Sequence, residues 1–488
     1  MVIESLKYKI LQQFGFAPTQ EQGQALDTFV SFLTDRDPQA VMILRGSAGT
    51  GKTSLSGAIV RTLLQIRQKV MLLAPTGRAA KVFSLGSGAP AYTIHRRIYR
   101  EKAFAGVDGQ FSQNDNLYTD TLFMVDEASM IANMGLGGTT FGSGCLLDDL
   151  VKFVYQGHND RLLLIGDKAQ LPPVGEEESP ALSASVMEGY GLKVYECDLN
   201  EVLRQSQSSG ILYNATLIRQ MITHDAVTGL PLIRFKGFAD IVMMPGAELV
   251  ESLGDSYHHV GMDETMVITR SNKRANIYNN GIRNMVLDRE EELSSGDMLM
   301  IVKNNYFWTE KEKKESGEGS AGTVPAFLAN GDRAKVLRVS NYIELYGFRF
   351  ATLLLQLPDY DDYEMQVTGM LDTLQSEAPA LTHEQQEELF RQVEEDYQHF
   401  VPLKADRMKS IRQDAYFNAL QIKYAYAVTC HKAQGGQWAH VYVDQGYMTD
   451  DMLTPDYIHW LYTAFTRATD KLFLVNWPKE QTCEPTDL

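Results

Sequence analysis

The stretch LRGSAGTGKTSL, residues 44–55, decides the fold of this chain. It has the spacing G-x-x-x-x-G-K-T, follows a short apolar run and precedes a segment with helical periodicity. In that setting a glycine-rich turn lets backbone N–H groups cradle phosphates at the start of a helix. The stretch therefore predicts a bound nucleoside triphosphate with Mg²⁺ at the end of a strand.

Each residue type in this loop has a predicted role. Gly46, Gly49 and Gly51 would let the backbone approach the phosphates. Lys52 would reach the β- and γ-phosphates, and the Thr53 hydroxyl would ligate Mg²⁺. A glycine-rich turn that binds no nucleotide is the alternative reading of the same letters.

Two further segments end apolar runs with polar side chains. In LFMVDEASM (122–130), Asp126 would hold Mg²⁺ and Glu127 would orient and deprotonate the attacking water. LLLIGDKAQLPPVG (162–175) alone predicts only a rigid turn, but together with the two other motifs it predicts that Gln170 contacts both the γ-phosphate and that water. Because ligands bind at the carboxyl ends of strands in open α/β sheets, these residues should meet at one edge.

The apolar runs predict an α/β fold with two parallel sheets. The first set is AVMIL (40–44), KVMLLA (69–74), LFMV (122–125) and LLLIG (162–166). The second set is MVIT (266–269), YAYAV (424–428), HVYV (440–443) and LFLV (472–475). The chain from about 297 to 420 interrupts the second set and reads as an insertion.

The insertion has a β-rich part and a helical part. Runs within 298–366 suggest a small barrel, with NGD (330–332) as a turn and 309–322 as a polar loop. THEQQEELFRQVEEDYQ (382–398) predicts a helix that begins with a capping box of Thr382 and Gln385.

Composition bounds the class of protein. The 488 residues are 44% hydrophobic and 22% charged, which is typical of a globular chain of several domains. The net charge of −17 argues mildly against a nucleic-acid partner. The charge is uneven, however, because 359–396 holds twelve acids and one base, whereas 78–102 holds six bases and one acid. No apolar run is long enough for a membrane, so we expect a chain that does not enter one. The four widely spaced cysteines, with no C-x-x-C pair, favour a reducing, cytoplasmic setting. A monomer is expected.

Six segments in order resemble the motifs of superfamily 1 helicases, most closely the RecD/Dda branch, which moves 5′ to 3′ on single-stranded DNA. They are APTGRAA (74–80), TIH (93–95), DEASM (126–130), GDKAQLPPV (166–174), VTCHKAQG (428–435) and YTAFTRA (462–468). The resemblance runs from about residue 16 to 470. It implies two RecA-like motor domains with ATP hydrolysed in the cleft between them.

The resemblance also implies roles for single residues at the nucleotide. FAPTQEQGQA (16–25) resembles the Q motif, so Gln22 would read the adenine edge. Arg204 and Arg467 match the two arginines that reach the γ-phosphate, where guanidinium groups stabilise transition-state charge. Gly435 would lie near the γ-phosphate and link nucleotide state to the grip on DNA.

Other matches face the polynucleotide. Hydroxyl, imidazole and backbone N–H groups suit phosphate and sugar contacts that ignore base sequence. The positions that match the DNA-contacting residues of the family are Pro75, Thr76, Thr93, His95, Thr429 and His431.

Strand separation needs a wedge, which the family places between TIH and DEASM. AFAGVDGQFSQ (103–113) could form a β-hairpin pin with Asp108-Gly109 as its turn. Phe104 or Phe111 could then stack on the last base pair. A disordered loop is the alternative.

The expected domains follow from these motifs. They are a first motor domain at 1–95 and 120–199, a pin insertion at 96–119, a second motor domain at 200–296 and 421–488, an SH3-like barrel at 297–368, and an acidic helical extension at 369–420. The extension reads either as a docking surface for a protein partner or as a solvated helix pair.

The leading hypothesis is an ATP-dependent 5′→3′ DNA helicase that acts on single-stranded DNA and on single-strand/duplex junctions. One alternative is a single-stranded DNA translocase that displaces proteins and unwinds weakly. Another is a P-loop ATPase that acts on a substrate other than nucleic acid, which the acidic net charge favours. The residues do not exclude RNA as the track, and they do not distinguish roles in DNA repair, recombination or replication.

Overall fold

The computed structural model describes most of the chain and divides it into two compact units. The described residues are 2–105, 108–135, 142–201, 208–223, 229–316, 324–325, 327–401 and 403–483, with the backbone alone at 2–3, 101–105, 108–111 and 450. Unit 1 comprises Met1–Arg100, Phe111–Pro245 and Ala433–Leu488, and unit 2 comprises Glu101–Gln110 and Gly246–Lys432.

Helices and strands alternate along much of the chain. The helices of the described residues are α1 Val2–Phe14, α2 Gln20–Leu33, α3 Lys52–Gln65, α4 Gly77–Ser87, α5 Ile94–Ile98, α6 Leu146–Gln156, α7 Ala184–Gly189, α8 Gly210–Thr223, α9 Leu249–His259, α10 Asn272–Gly281, α11 Phe307–Ser316, α12 His383–Gln398, α13 Lys404–Arg412, α14 Cys430–Ala433 and α15 Pro455–Phe465. The strands are β1 Ala40–Gly46, β2 Lys69–Ala74, β3 Ala91–Thr93, β4 Tyr99–Ala105, β5 Asp108–Gln113, β6 Thr121–Val125, β7 Arg161–Gly166, β8 Lys193–Leu199, β9 Ile241–Met244, β10 Thr265–Thr269, β11 Met298–Ile301, β12 Arg333–Leu345, β13 Phe348–Leu357, β14 Tyr363–Met370, β15 Leu420–Tyr424, β16 Ala427–Thr429, β17 Trp438–Asp444 and β18 Ala468–Val475.

Unit 1 is built on a six-stranded parallel sheet of order β3-β2-β6-β7-β1-β8. The four predicted strands are its central four, and every residue of β1, β6 and β7 is buried. Separate hydrophobic clusters cover its two faces, one around Phe29 and Leu63 and the other around Phe123 and Phe153. The prediction of a parallel sheet covered on both faces is therefore confirmed.

The second set of parallel strands is also present, and each unit carries part of it. In unit 1, β17 pairs with β18 and β18 with β9, all in parallel. In unit 2, β10 pairs in parallel with β16. The run YAYAV (424–428), predicted as one strand, is two, because Tyr424 ends β15 and β16 begins at Ala427.

The β-rich insertion is a closed barrel of β11 to β15 within unit 2. Antiparallel pairs join β15 to β11, β11 to β12, β12 to β13 and β13 to β14, and a parallel pair of β14 with β15 closes it. The expected boundary at residue 421 is wrong, because residues 421–424 do not lie in the second motor domain. They belong to the fifth barrel strand, which the helical extension separates from the other four.

The helical extension packs on this barrel. The predicted helix is α12, with the capping box of Thr382 and Gln385 in place. Its Leu389 and Val393 share a buried cluster with Phe350 of the barrel, which burial of apolar surface stabilises. The extension is therefore covered on its apolar side by the barrel rather than standing free. Docking of a protein partner on its acidic side stays a prediction.

Two predicted loops differ from expectation. The segment predicted as a polar loop at 309–322 is helical as far as Ser316 in α11, and residues 317–323 lie outside the described part. The NGD segment does form a turn, with Gly331 at a φ of 98°. A positive φ favours glycine because it has no Cβ.

The expected hairpin is present as the two-stranded sheet of β4 and β5. Its turn was predicted at the wrong place, because Asp108 and Gly109 begin β5 and residues 106–107, between the strands, lie outside the described part. The side chains of Phe104 and Phe111 also lie outside it, so their predicted stacking stays a prediction. Within the described residues, no helix has the length and apolar character that crossing a bilayer demands.

Candidate functional site

The P-loop leaves the carboxyl end of β1 and turns into α3. Gly49 and Gly51 have φ values of 78° and 81°, which side chains with a Cβ rarely adopt. A Cβ at Gly46 would lie 2.9 Å from Lys52 Cγ, so this glycine allows the lysine stem to pass. The Lys52 ammonium donates to the carbonyl oxygens of Gly46 and Ser47, the latter at 3.0 Å. The lysine therefore lies along its own loop.

Gln22 connects the start of α2 to the P-loop. Its Nε2 donates to Thr50 O at 2.9 Å, its Oε1 accepts from Thr19 N at 3.0 Å, and the residue is 1% exposed. The amide thus serves both the α2 capping box and the loop that carries the phosphate site. Its predicted contact with adenine stays a prediction.

Asp126 and Glu127 follow β6 at the same edge of the sheet. Glu127 has a φ of 51°, and its N–H donates to Asp126 Oδ1 at 2.9 Å. Burial, with the neighbouring Glu127 charge, raises the pKa of Asp126 to about 7. A divalent cation would oppose both effects, because it would add positive charge to that of Lys52, which already lowers the pKa of Asp126. The pair, with the exposed Thr53 at the start of α3, fits the predicted Mg²⁺.

Gln170 lies between the predicted base and the predicted arginine finger. In the amide orientation that suits both neighbours, its Nε2 donates to Glu127 Oε2 at 3.3 Å and its Oε1 accepts from Arg467 Nη2 at 3.2 Å. Three residues predicted from separate motifs are therefore in one hydrogen-bonded group within unit 1.

Arg467 is buried and held at several atoms. It is 2% exposed, Nε donates to Thr463 O at 3.1 Å, and Nη1 donates to Gly436 O at 3.0 Å. These bonds fix the orientation of the guanidinium group that donates to Gln170. Arg204, the other predicted finger, lies outside the described residues.

Tyr462 links α15 to two loops of the nucleotide site. Its hydroxyl donates to Asp167 Oδ2 at 2.6 Å and accepts from Ala48 N of the P-loop at 3.0 Å. Burial, and then the Asp167 charge, raises the pKa of this phenol well above its ordinary value. Sequence reasoning missed roles for both Tyr462 and Asp167. Their positions in YTAFTRA and GDKAQLPPV were the signal.

The loop that carries Gln170 is held along its backbone. Thr463 Oγ1 accepts from Leu171 N at 2.8 Å, and Gln434 Nε2 donates to Leu171 O at 2.7 Å. His459 Nδ1 lies 2.9 Å from Ala169 O. Three side chains from the last part of the chain thus position the loop, and a shift of α15 would move Gln170 with it.

Arg219 of α8 is a cation at the P-loop that sequence reasoning missed. Its Nη1 donates to Ser47 Oγ and lies 3.5 Å from Asn200 Oδ1. Its Nε is buried without a hydrogen-bond partner among the described residues. None of the quoted motifs contains Arg219, so only its fold neighbours identify it.

The positions predicted to contact DNA in unit 1 lie where β2 and β3 end. The Thr76 and Thr93 hydroxyls cap α4 and α5 by accepting from Ala79 N and Arg96 N. Pro75 directly precedes Thr76. Burial lowers the pKa of His95 to about 4, so its imidazole is neutral at pH 7. It would therefore contact a phosphate through a hydrogen bond rather than through a positive charge.

Gly435 packs against the first of these positions. With its φ of 73°, a Cβ there would lie 3.0 Å from both Thr76 Oγ1 and Ala79 Cβ. The contacts of Gly435 thus include the predicted DNA position Thr76, and its predicted place near the γ-phosphate stays a prediction. In unit 2, Thr429 ends β16, and the exposed His431 follows in α14.

Known protein families match both ends of this arrangement. A family model described as an AAA domain matches residues 17–228, and one described as a UvrD-like helicase C-terminal domain matches residues 424–475. The first range contains the P-loop, Glu127 and Gln170, and the second contains Gly435 and Arg467.

Individual relatives are similar to parts of this chain. The ATP-dependent RecD2 DNA helicase of Deinococcus radiodurans is 30% identical over 157 residues, covering 32% of this chain and 18% of the relative. The ATP-dependent DNA helicase dda of Enterobacteria phage T4 is 26% identical over 267 residues, covering 53% of this chain and 55% of the relative. The chain thus spans about half of the phage protein and less than a fifth of the bacterial one.

Similarity extends to solved structures. A crystal structure of Pif1 helicase from Bacteroides in complex with ADP-AlF3 and ssDNA has a TM-score of 0.45 and 13% identity to this chain. The match covers 96% of this chain and 95% of that one.

Proposed function

Because this chain belongs to the superfamily 1 helicases of the RecD/Dda type, we propose that it is an ATP-dependent DNA helicase that moves 5′ to 3′ on single-stranded DNA and opens duplex at the junction. The observation that carries the proposal is the bridge from Glu127 through Gln170 to Arg467. A nucleotide-binding turn alone would suit a kinase or a pump. Here the amide of Gln170 connects the base Glu127 to Arg467, an arrangement typical of ATP hydrolysis. Because α15 holds the loop of Gln170, movement of α15 would change the rate of hydrolysis.

Hydrolysis would use the residues of this bridge. Glu127 would take the proton of the attacking water, and Gln170 would orient that water against the γ-phosphate. Arg467 would stabilise the charge that develops on the phosphate oxygens, and Lys52 would leave its loop carbonyls for the β- and γ-phosphates. Arg219 would add a positive charge at the Ser47 end of the loop.

Mg²⁺ would be held by Asp126 and the Thr53 hydroxyl. The bound ion would neutralise phosphate charge, which is its general role in phosphoryl transfer. The raised pKa of Asp126 supports this assignment, because a desolvated carboxylate beside another carboxylate gains most from a nearby cation.

Contact with DNA would be made by the strand-end motifs. Pro75, Thr76, Thr93 and His95 in unit 1, with Thr429 and His431 in unit 2, would touch phosphates and sugars. The packing of Gly435 on Thr76 supports a link between this grip and the nucleotide, since Gln434 beside it binds the Gln170 loop. The β4–β5 hairpin would separate the strands.

The direction of movement is tested by unwinding duplexes that carry either a 5′ or a 3′ overhang, with Lys52→Ala as the inactive control. We expect the 5′ overhang to be unwound and Glu127→Gln to bind ATP and DNA while turning over poorly. Preference for the 3′ overhang would reject the 5′→3′ assignment. ATP turnover that does not rise with single-stranded DNA would favour an ATPase that acts on another substrate.

The same preparation tests the translocase alternative. Displacement of a protein block from single-stranded DNA is measured beside duplex unwinding. Displacement without unwinding would favour the remodelling function over the helicase.

A further inference from the structure

Two lysines of unit 2 line one pocket. Lys423 lies on β15, the last strand of the barrel, and Lys432 lies on α14. The wall between them is formed by α10 and by β16, whose Thr429 also faces the pocket. The insertion and the second RecA-like fold therefore meet here, each with one ammonium group.

The direct partners of both ammonium groups are neutral oxygens. Lys423 Nζ donates to the backbone oxygen of Ser376, and Lys432 Nζ donates to the amide oxygen of Asn330. Burial lowers the pKa of Lys423 to about 8. Burial and then the charge of Lys423 lower the pKa of Lys432 to about 8 as well. Two partly desolvated cations that repel each other gain free energy when an anion binds between them.

The wall of the pocket is held in place before any ligand arrives. Asn272 Nδ2 donates to Glu377 O at 3.1 Å, and Asn276 Nδ2 donates to Gln375 O at 2.8 Å. Because Lys423 donates to Ser376 O, three consecutive carbonyl groups of the segment that follows β14 accept hydrogen bonds from residues that line the pocket. Little side-chain or loop ordering would remain to oppose binding, which favours affinity.

We propose that this pocket binds a backbone phosphate of the single DNA strand between Lys423 and Lys432, so that the barrel itself contributes a contact to the track. The inference rests on the proposed function and names a residue of the insertion that no helicase motif contains. Thr429 lines the same pocket, and its hydroxyl could donate to the phosphate, because threonine and lysine side chains both commonly bind DNA phosphates. ATP has its own loop in unit 1, and the lining of this pocket includes no residue of it.

The test is fluorescence anisotropy of a labelled oligothymidine with the full chain, over a series of salt concentrations. Lys423→Gln removes the charge and keeps a donor for Ser376 O, Lys423→Arg keeps the charge, and Lys409→Gln is the matched control on the exposed face of α13. We expect Lys423→Gln to bind about five- to tenfold more weakly. The slope of log affinity against log salt should become shallower by about 0.7, the value for one phosphate contact on a single strand.

The same measurements separate the possible failures. Affinity and salt slope equal to wild type in Lys423→Gln would overturn the inference, as would an equal loss in Lys409→Gln or no rescue in Lys423→Arg. Weaker binding of ATP with unchanged binding of DNA would assign the lysines to the nucleotide and also overturn it. Capture of an acidic peptide in preference to the oligothymidine would assign the pocket to a protein. If the wild-type chain fails to bind the oligothymidine, the proposed function itself is wrong.

Discussion

Gln170 Oε1 accepts from Arg467 Nη2 at 3.2 Å, and the Nε2 of the same amide donates to Glu127 Oε2 at 3.3 Å. One side chain thus touches the predicted base and the predicted arginine finger. Since Thr463 and His459 of α15 bond the neighbouring Leu171 N and Ala169 O, the position of Gln170 depends on α15. This arrangement connects catalysis to α15, which ends two residues before Arg467.

Replacing Gln170 by alanine should lower kcat for ATP by about 10²-fold, the usual cost of losing one positioned hydrogen-bonding group at a transition state. ATP affinity should change little, because the P-loop and Lys52 are untouched. Steady-state ATPase with single-stranded DNA and equilibrium binding of a fluorescent nucleotide measure the two effects. Gln170→Glu should be no better, because its second carboxylate oxygen would face Glu127. Wild-type turnover in either variant would contradict the bridge.

Tyr462→Phe should uncouple the P-loop from α15 while keeping the ring in the core. It leaves Asp167, which is 3% exposed, without the phenol that donates to it. An unsatisfied buried acceptor costs about 1–3 kcal/mol, so the free energy of unfolding should fall by that amount. Chemical denaturation measures the loss. Tyr457→Phe, on the same helix and bonded to Gln445 instead, controls for removal of a buried hydroxyl. It should leave DNA stimulation of the ATPase intact, whereas Tyr462→Phe should reduce it.

Arg219→Ala should reduce ATP turnover at least about tenfold, because a cation beside the P-loop stabilises charge developing on the phosphates. Arg219→Lys should recover part of the loss, since it restores charge without the planar fork. Gln220→Ala, the exposed next residue, is the control. Equal kcat/KM for Arg219→Ala and wild type would remove Arg219 from the site.

His95 should make the fold sensitive to mild acid. Its folded-state pKa of about 4 lies below the ordinary 6.5, so between these values the unfolded chain binds a proton that the folded chain does not. The free energy of unfolding should therefore fall as pH falls from about 6.5 to about 4, by up to about 1.4 kcal/mol per pH unit. Above about pH 6.5, His95 should add no pH dependence to the free energy of unfolding. Urea denaturation at a series of pH values measures the slope. His95→Asn should flatten it, and replacement of the exposed His383 should not.

Local sequence patterns were sufficient to predict much of the structure of the motor domains. The P-loop, the apolar runs of β1, β2, β6 and β7, and the capping box of α12 were all found from residue types at short spacing, because a phosphate turn, a buried strand and a helix start are each determined within a few residues. The ordered motifs then indicated that Glu127, Gln170 and Arg467 act on one nucleotide.

Pairings between distant segments needed the tertiary structure. The run containing Tyr424 resembles a strand of the second motor domain, yet its first residues pair with β11 and β14 and close the barrel. The pairing of a strand depends on the geometry of the sheet more than on its own residue types. The hairpin was expected, but its turn was misplaced, since Asp-Gly is a turn signal only where the strand register allows it.

The sequence by itself thus determined the chemistry: which residues can hold phosphates, activate water and supply a guanidinium. Only the tertiary structure decided their coupling, because it brings Tyr462 onto Ala48 and Asp167, Arg219 onto Ser47, and Lys423 beside Lys432. These contacts join segments that are far apart along the chain. Their energy comes from burial and from hydrogen bonds that form only once the sheets and helices have packed, so no local pattern records them.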